Sequence, residues 1–475
     1  MMKRKMRKAP LPGRRRFLRA SVATLASAGT AWRWAASTAA GQSRRRPNVL
    51  FVAVDDLNHS LGCYGHKLVS SPNIDRLAGR ASRFERAYCQ FPVCNPSRTS
   101  FLTGMRPDST GVLDNVTPFR RLLPEVVTLP QLFRQAGYFT ARLGKIFHGR
   151  AETDDPKAWE TTFEGQTTER GRRGRGRNLT GGKVKWCRWL AAEGTDLDQP
   201  DGQLAAEAVR LLRQRRKDRQ PFFLGLGFHK PHDPFVAPKK YFDLYRLGDL
   251  EPPREPADAT PVHPLAFGSS WERSFAAFTD RDRREFMRAY YAGISFMDAQ
   301  LGKVLDALAE FGLLEQTLIV LLGDHGYQLG EHGWWNKNAL YEPSLRAPLL
   351  ISQPGQARAQ VCRGLVEFID IYPTVAGLCG LEVPGSVQGR SLEPLLAEPG
   401  RPWREAAFSQ VRRSNSAGRS VRTDRWRYIE WDRGAGGAEL YDHRKDPGEY
   451  YNLVDEPALA EVRGRLSRLL RGDKA

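Results

Sequence analysis

Four short apolar runs along the chain end in polar residues of unusual chemistry. Residues 49–54 stop at Asp55-Asp56, and residues 138–143 run into Gly144-Lys145-Ile146-Phe147-His148. Residues 222–227 lead to Phe228-His229-Lys230-Pro231-His232, and residues 317–322 pass through Gly323 to Asp324-His325-Gly326. Nearly continuous runs of this length suit strands buried on both faces of a parallel sheet. Residues 204–215 and 286–311 lie between them and read as helices, the second with apolar positions at helical spacing. The alternation predicts an α/β sandwich with helices on both faces of the sheet. In such sheets the ligand crevice lies beyond the carboxyl ends of the strands. All four runs carry their acids, lysine or histidines at that end.

The pattern changes near the carboxyl terminus. After a Pro- and Glu-containing stretch at 394–404 come short strand-like pieces at 407–411, 420–423, 427–431 and 439–442. A turn at Asp446-Pro447-Gly448-Glu449 and a closing helix over 457–470 complete the segment. This predicts a small antiparallel sheet with one helix packed on it. The expected boundaries are 47–398 for the main domain and 399–475 for the carboxyl-terminal subdomain.

Charge divides the chain differently. The net charge is +20, and residues 1–40 carry ten Lys/Arg and no acid, so the remainder keeps a net charge near +10. Arg14-Arg15-Arg16-Phe17-Leu18-Arg19, followed by an Ala/Ser/Thr-rich apolar stretch to Ala40, fits a twin-arginine export signal. That stretch is too short and too weakly hydrophobic to remain in a membrane, and no later segment reaches 18 consecutive apolar residues. The expected location is periplasmic or extracellular, without stable membrane insertion. Much of the remaining basic charge gathers at Arg170, Arg172, Arg173, Arg175, Arg177, Lys183, Lys185 and Arg188. The Gly/Arg alternation there has no apolar face and reads as a mobile surface loop. Without interleaved aromatics, and behind an export signal, it argues against a nucleic-acid partner; attraction of a polyanionic substrate stays open. The six cysteines form no metal-type Cys-x-x-Cys spacing.

Asp55 and Asp56 are adjacent acids at a strand end. Both reach one ion only where the strand is ending or bent, because neighbouring strand residues face opposite ways. Two carboxylates in such a place need a cation to offset desolvation and repulsion, and Asp324 adds a third from another strand. Oxygen-dominated coordination favours a hard cation, Ca²⁺ or Mg²⁺. Elsewhere Val93-Cys94-Asn95-Pro96-Ser97-Arg98 reads by itself as a helix start, with Asn95 as the cap and Pro96 in the first turn. Such an end also offers free N–H groups to an anion.

The run Cys94-Asn95-Pro96-Ser97-Arg98 closely resembles the signature of the type I sulfatases. Asp55-Asp56, Lys145 with His148, His229, Asp324-His325 and Lys337 stand in that family's order. The closest resemblance is to its iduronate-2-sulfatase branch, through Lys145-x-x-His148, Phe228-His229-Lys230-Pro231-His232, Leu329-Gly330-Glu331-His332-Gly333 and Gly437-Ala438-Glu439-Leu440-Tyr441-Asp442. The resemblance implies an alkaline-phosphatase-like three-layer α/β sandwich with a large, mostly parallel central sheet. It implies that Cys94 is oxidised by a maturation enzyme to formylglycine, whose hydrated aldehyde is the nucleophile. It also implies a cation held by Asp55, Asp56, Asp324, His325 and the residue at Cys94. Arg98, Lys145 and Lys337 would hold the modified residue and the sulfate oxygens, with His148 as base and His229 as acid toward the leaving sugar oxygen. Imidazole is a poor partner for Ca²⁺, which leaves His325 either a weak ligand or a neighbour. If Cys94 is consumed, the five remaining cysteines leave at least one free thiol. The implied substrate is a sulfated carbohydrate. Two other readings stay open: a phosphonate or phosphate monoesterase of the same superfamily, and a silent sulfated-glycan-binding protein in which Cys94 stays a thiol. Histidines 66, 232 and 332 read as loop or structural residues, although His232 could line the substrate pocket. Trp334 and Trp335 read as packing.

Overall fold

The computed structural model describes residues 46–149, 151–268 and 271–472; the predicted export signal at 1–40 lies outside them. Residues 46–475 cluster as one compact unit. Its central sheet contains β1 (Asn48–Val54), β2 (Ser82–Tyr88), β3 (Phe139–Gly144) and β4 (Thr161–Phe163). After the short strands β5 (Gly174–Asn178) and β6 (Arg188–Ala192), it is joined by β7 (Phe222–Phe228). Beyond β8 (Phe235–Pro238), the sheet is completed by β9 (Thr317–Gly323), β10 (Leu349–Ser352) and β11 (Gln360–Glu367). The order is β11-β2-β10-β9-β1-β7-β3-β4, and only β10 runs against the others. The four apolar runs of the sequence are therefore β9, β1, β7 and β3, side by side and parallel.

Every residue of β1 is buried, and its alternating side chains enter two different cores. Leu50, Val52 and Val54 face helices Pro72–Ala78, Pro200–Arg215 and Asp280–Glu310 through Leu77, Leu204 and Ile294. Val49, Phe51 and Ala53 face helices Cys94–Thr103, Leu129–Gln135 and Ile371–Leu378 through Phe101, Phe133 and Val375. The period of two along a strand thus builds the three layers. The long helix Asp280–Glu310 begins with a capping box: the Thr279 side chain accepts from the Asp282 N–H, and the Asp282 carboxylate accepts from the Thr279 N–H.

The carboxyl-terminal pattern forms an antiparallel sheet of β12 (Ala407–Arg413), β13 (Ser416–Arg422), β14 (Trp426–Trp431) and β15 (Ala438–Asp442). Helix Ala460–Arg471 buries Leu466 and Leu470 on it beside Val421 and Leu440. Among the described residues no helix is long and apolar enough to cross a membrane.

Two local expectations are corrected. The Arg/Gly-rich stretch is not a mobile loop: β5 pairs antiparallel with β6 from Gly174↔Ala192 to Asn178↔Arg188, and β6 pairs in parallel with β8. Its Gly-Arg alternation is itself a period of two, hidden because no apolar residue marks either face. Asn95 is not the helix cap either. The helix Cys94–Thr103 is preceded by Val93, and Asn95 donates its side-chain N–H groups to the carbonyls of Asp114 and Thr117.

Candidate active site

The carboxyl ends of β1, β7, β3 and β9 converge where helix Cys94–Thr103 begins. β1 stops at Val54, and the next backbone groups continue the ladders: Asp55 N–H donates to the Phe228 carbonyl at 3.1 Å, and Asp324 N–H to the Val54 carbonyl at 3.0 Å. Asp56 then adopts a left-handed φ of 63°, an uncommon conformation for an aspartate. Its N–H donates to Asp324 Oδ1 at 3.0 Å, and its carbonyl accepts the Tyr290 hydroxyl at 2.5 Å. This bend lets adjacent acids of one strand end serve one cluster.

Lys145 arrives by a similar turn. Gly144 has φ 69°, and a Cβ built on Gly227 would meet the Lys145 backbone at 2.2 Å, so the ends of β3 and β7 approach closely only through glycine. The Lys145 ammonium pairs with Asp55 Oδ2 and that of Lys337 with Asp56 Oδ1. Lys337 is presented by a loop whose carbonyl accepts the buried Trp334 indole N–H at 2.9 Å. Trp334 stacks on Phe267, so this tryptophan is packing, as its sequence context suggested.

Cys94, Arg98, Asp55, Asp56, Asp324 and His325 are all buried. Cys94 Sγ lies 3.4 Å from Asp55 Oδ1 and 3.2 Å from Lys337 Nζ, with a ring nitrogen of His325 within 4.8 Å. Arg98 uses its guanidinium on protein acceptors: Asp324 Oδ2 at 2.8 Å, Asp55 Oδ1 at 3.3 Å, and the carbonyls of Lys145 and Ile146. Burial and Asp55 push the Cys94 thiol up, but Lys145, Lys337 and His148 outweigh them and hold it well below the ordinary thiol range. Asp55, raised by burial, is carried well below the carboxylate range by Lys145, His232, Arg98 and Lys337. Burial leaves Asp324 raised, to about 6, against the opposing pull of His325 and Arg98.

These groups fit a cation. One ligand atom each from Asp55, Cys94, Asp324 and His325 lie within 4.8 Å of one another, as do those of Asp55, Asp56, Cys94 and His232. Asp56 Oδ2 and His325 Nε2 are buried without a hydrogen-bond partner in the protein. His325 Nδ1 donates to the Gly326 carbonyl at 2.9 Å, which turns the Nε2 lone pair toward the carboxylates. Two unpartnered polar atoms among buried acids are what a bound cation relieves.

The two remaining histidines of the motif set stand at the edge. His148 is half-buried, with Nδ1 buried and unpartnered. His229 is half-exposed; its Nδ1 lies 3.3 Å from Asp201 Oδ1, and Asp201 also accepts the backbone N–H groups of His229 and Lys230. Asp201 sits in the first turn of helix Pro200–Arg215.

The sequence reading overlooked Asp201 and Tyr290, and read His232 as a loop or structural residue that could line the substrate pocket. His232 brings Nε2 to 3.8 Å from Asp55 and 3.9 Å from Asp56. Burial lowers its pKa, but Asp56 and Asp55 more than compensate and raise it to about 10. Its place in the same short segment as His229 was the available signal. Asp201 and Tyr290 act through helices distant in sequence, and nothing local marked them.

A family model described as Sulfatase matches residues 47–381, and one described as N-sulphoglucosamine sulphohydrolase, C-terminal, matches residues 330–475. The chain is 33% identical over 441 residues to a sulfatase of Formosa agariphila, covering 86% of this chain and 83% of that protein. It is 31% identical over 506 residues to iduronate 2-sulfatase of Homo sapiens, covering 86% and 91%. Among solved structures it is similar to the phosphonate monoester hydrolase of Silicibacter pomeroyi, with a TM-score of 0.76, 25% identity and coverage of 90% and 95%.

Proposed function

This chain belongs to the sulfatase family, and from that premise we propose that the cluster around Cys94 is its active centre. The protein is a sulfuric ester hydrolase acting on sulfated carbohydrates, and its similarity to iduronate 2-sulfatase favours 2-sulfated uronate units. One observation carries the assignment. Cys94 Sγ sits between Asp55 and Lys337, beside two buried polar atoms that lack a protein partner.

Cys94 Sγ stands in for the hydroxyl oxygen of formylglycine, the residue made from cysteine in this family. Formylglycine at position 94 would supply a hydrated aldehyde, one hydroxyl serving as the nucleophile toward sulfur and the other as the group whose deprotonation expels sulfate. Asp55, Asp56, Asp324 and His325, with the oxygen at position 94, would hold a divalent cation. Such a cation would supply Lewis-acid chemistry toward a sulfate oxygen and the attacking hydroxyl. The three carboxylates favour Ca²⁺, with Mg²⁺ as the other hard cation the set admits.

The chain's own residues do the rest. Lys337 and Lys145 place positive charge where the equatorial sulfate oxygens develop theirs, in a pocket largely closed to water. Arg98 is a positioning residue: its four hydrogen bonds go to protein, and they set Asp55 and Asp324 relative to the helix start. His148, whose Nδ1 is buried without a partner and whose imidazole helps lower the Cys94 thiol, accepts the proton that sulfate release requires. His229, oriented by Asp201, protonates the departing sugar oxygen. We further assign residues 1–40 to twin-arginine export, residues 47–398 to catalysis and 399–475 to a subdomain. Because that route carries folded proteins, Cys94 conversion precedes export. Arg14→Lys with Arg15→Lys is expected to retain the protein in the cytoplasm, measured by fractionation.

The test is the mass of tryptic peptide 87–98 from the native host, together with sulfate release from a 2-sulfated uronate disaccharide. Aldehyde at position 94 and turnover that is abolished in Cys94→Ala, with the fold unchanged, are expected. An unmodified thiol throughout, or substantial activity in Cys94→Ala, removes position 94 as the nucleophile. A phosphonate monoester cleaved faster than the sulfate ester would transfer the site to the alternative chemistry.

A further inference from the structure

The Arg/Gly strand encloses something the active centre does not use. Together with β6 and the start of helix Asp280–Glu310, β5 lines a cavity of about 820 Å³. Alternation along β5 places Arg175 and Arg177 on one face. Arg177 is committed there: Nε donates to Glu285 at 2.7 Å and Nη2 to Asp282 at 2.5 Å. Arg175 stands one step along the same face, exposed, and forms no ion pair with a carboxylate among the described residues.

Its neighbour across the cavity is Arg288. That guanidinium lies 5.1 Å from the Trp189 ring centroid and 5.8 Å from that of Phe242, and its Nε is buried without a partner. Burial lowers the pKa of Arg288; Glu285 and Asp243 oppose the shift, whereas Arg175 and Arg281 add to it. Of the acids lining the cavity, Glu193 is exposed, whereas Glu285 and Asp243 are already engaged. Glu285 accepts from Arg177, Arg281 and the Trp189 indole, and Asp243 is held by Lys239. Two guanidiniums therefore line one cavity, and one N–H lacks an acceptor. An oxyanion satisfies both features: it screens the repulsion and accepts the free N–H.

We propose that this cavity is a remote subsite for an anionic sugar of the same glycan, binding a sulfate or carboxylate several units from the ester being cleaved. The proposal rests on the sulfated-carbohydrate reading above. Chain geometry sets the span. β8 begins three residues after His232, Ala237 pairs with Ala191, and Ala191 pairs with Arg175. Five residues of chain and two strand spacings separate His232 from Arg175, roughly 17 Å and roughly 10 Å at most. The separation is thus bounded at roughly 27 Å, a span that an octasaccharide covers.

The experiment compares sulfate release from a sulfated disaccharide and from an octasaccharide of the same repeat, using wild type, Arg175→Gln, and Arg175→Gln with Arg288→Gln. KM for the octasaccharide is expected to rise about threefold in the single variant and about tenfold in the double, with kcat and both disaccharide constants unchanged. Arg175 is exposed on its strand, so the single variant reports even if loss of Arg288 disturbs the packing on Trp189. Octasaccharide constants that do not move, or that move in step with the disaccharide constants, overturn the proposal. Calorimetric titration of the same proteins with octasaccharide and with inorganic sulfate keeps the test independent of turnover. Octasaccharide binding weakened by the double variant supports the subsite even if no ester is cleaved, whereas inorganic sulfate binding as tightly with the same arginine dependence reassigns it to a free oxyanion.

Discussion

At the scale of single residues, the active centre is a balance among groups that none could hold alone. Asp55, Asp56 and Asp324 are buried within reach of Arg98, Lys145 and Lys337, and each carboxylate is tolerable because a cation faces it. Asp324 links three parts, taking the Asp56 N–H on one oxygen and Arg98 Nε on the other. Asp324→Asn keeps the shape and removes the charge. It is expected to lower kcat by about 10² or more and to weaken activation by added Ca²⁺ in parallel, both read from a metal titration of sulfate release. Asp201 acts at one remove, through the His229 ring and two backbone N–H groups. Asp201→Asn is expected to cost about tenfold in kcat while KM stays near wild type, because it misorients a proton donor rather than a binding group. An equal loss confined to KM would place Asp201 in substrate binding.

At the scale of elements, the carboxyl-terminal sheet is tied to the central one by a buried ionic knot. Arg427, wholly buried on β14, pairs with Glu449 and with Glu342, and Glu342 also meets Arg422. Removing the guanidinium leaves two buried carboxylates without their main partner. Arg427→Ala is therefore expected to destabilise the protein by about 3–5 kcal/mol in denaturant unfolding. The same knot predicts a pH dependence. Burial raises both acids, but Arg422, Arg427 and His443 lower Glu342, and Arg427 and His443 lower Glu449, below their ordinary 4.5. A depressed acid contributes stability that is complete above its unfolded value and is lost as pH falls through its folded one. Stability is thus expected to fall with acidification below about pH 4.5, with a shallower slope in Glu342→Gln.

At the scale of the whole molecule, the site sits where four parallel strands and two helical layers end together, so metal, catalysis and global stability are coupled. A cation bound by residues from β1, β9 and helix Cys94–Thr103 stabilises only the folded state. Adding Ca²⁺ at a hundredfold excess over its Kd is expected to stabilise the wild-type protein by about 2.7 kcal/mol. Asp324→Asn should show a much smaller effect, and chelation should reverse it, both read as shifts in Tm.

The alternation of apolar runs with helical segments determined the α/β class, the parallel core strands and the end of the sheet at which chemistry gathers. Burial on both faces leaves a signature in a strand's own residues, so β1, β3, β7 and β9 were legible one by one. The paired acids stood out by their place at a strand end, whereas the run at Cys94 and the lysines stood out through their resemblance to the sulfatase signature. Contacts between distant segments were not. Only the folded chain brings His232 to Asp55 and Asp56, seats Asp201 behind His229, and engages Arg98 wholly with protein. It also turned a Gly/Arg repeat without apolar residues into a paired strand lining the same cavity as Arg288. Local pattern records what each segment must bury; which charges then meet depends on long-range pairing, which a single stretch of sequence does not encode.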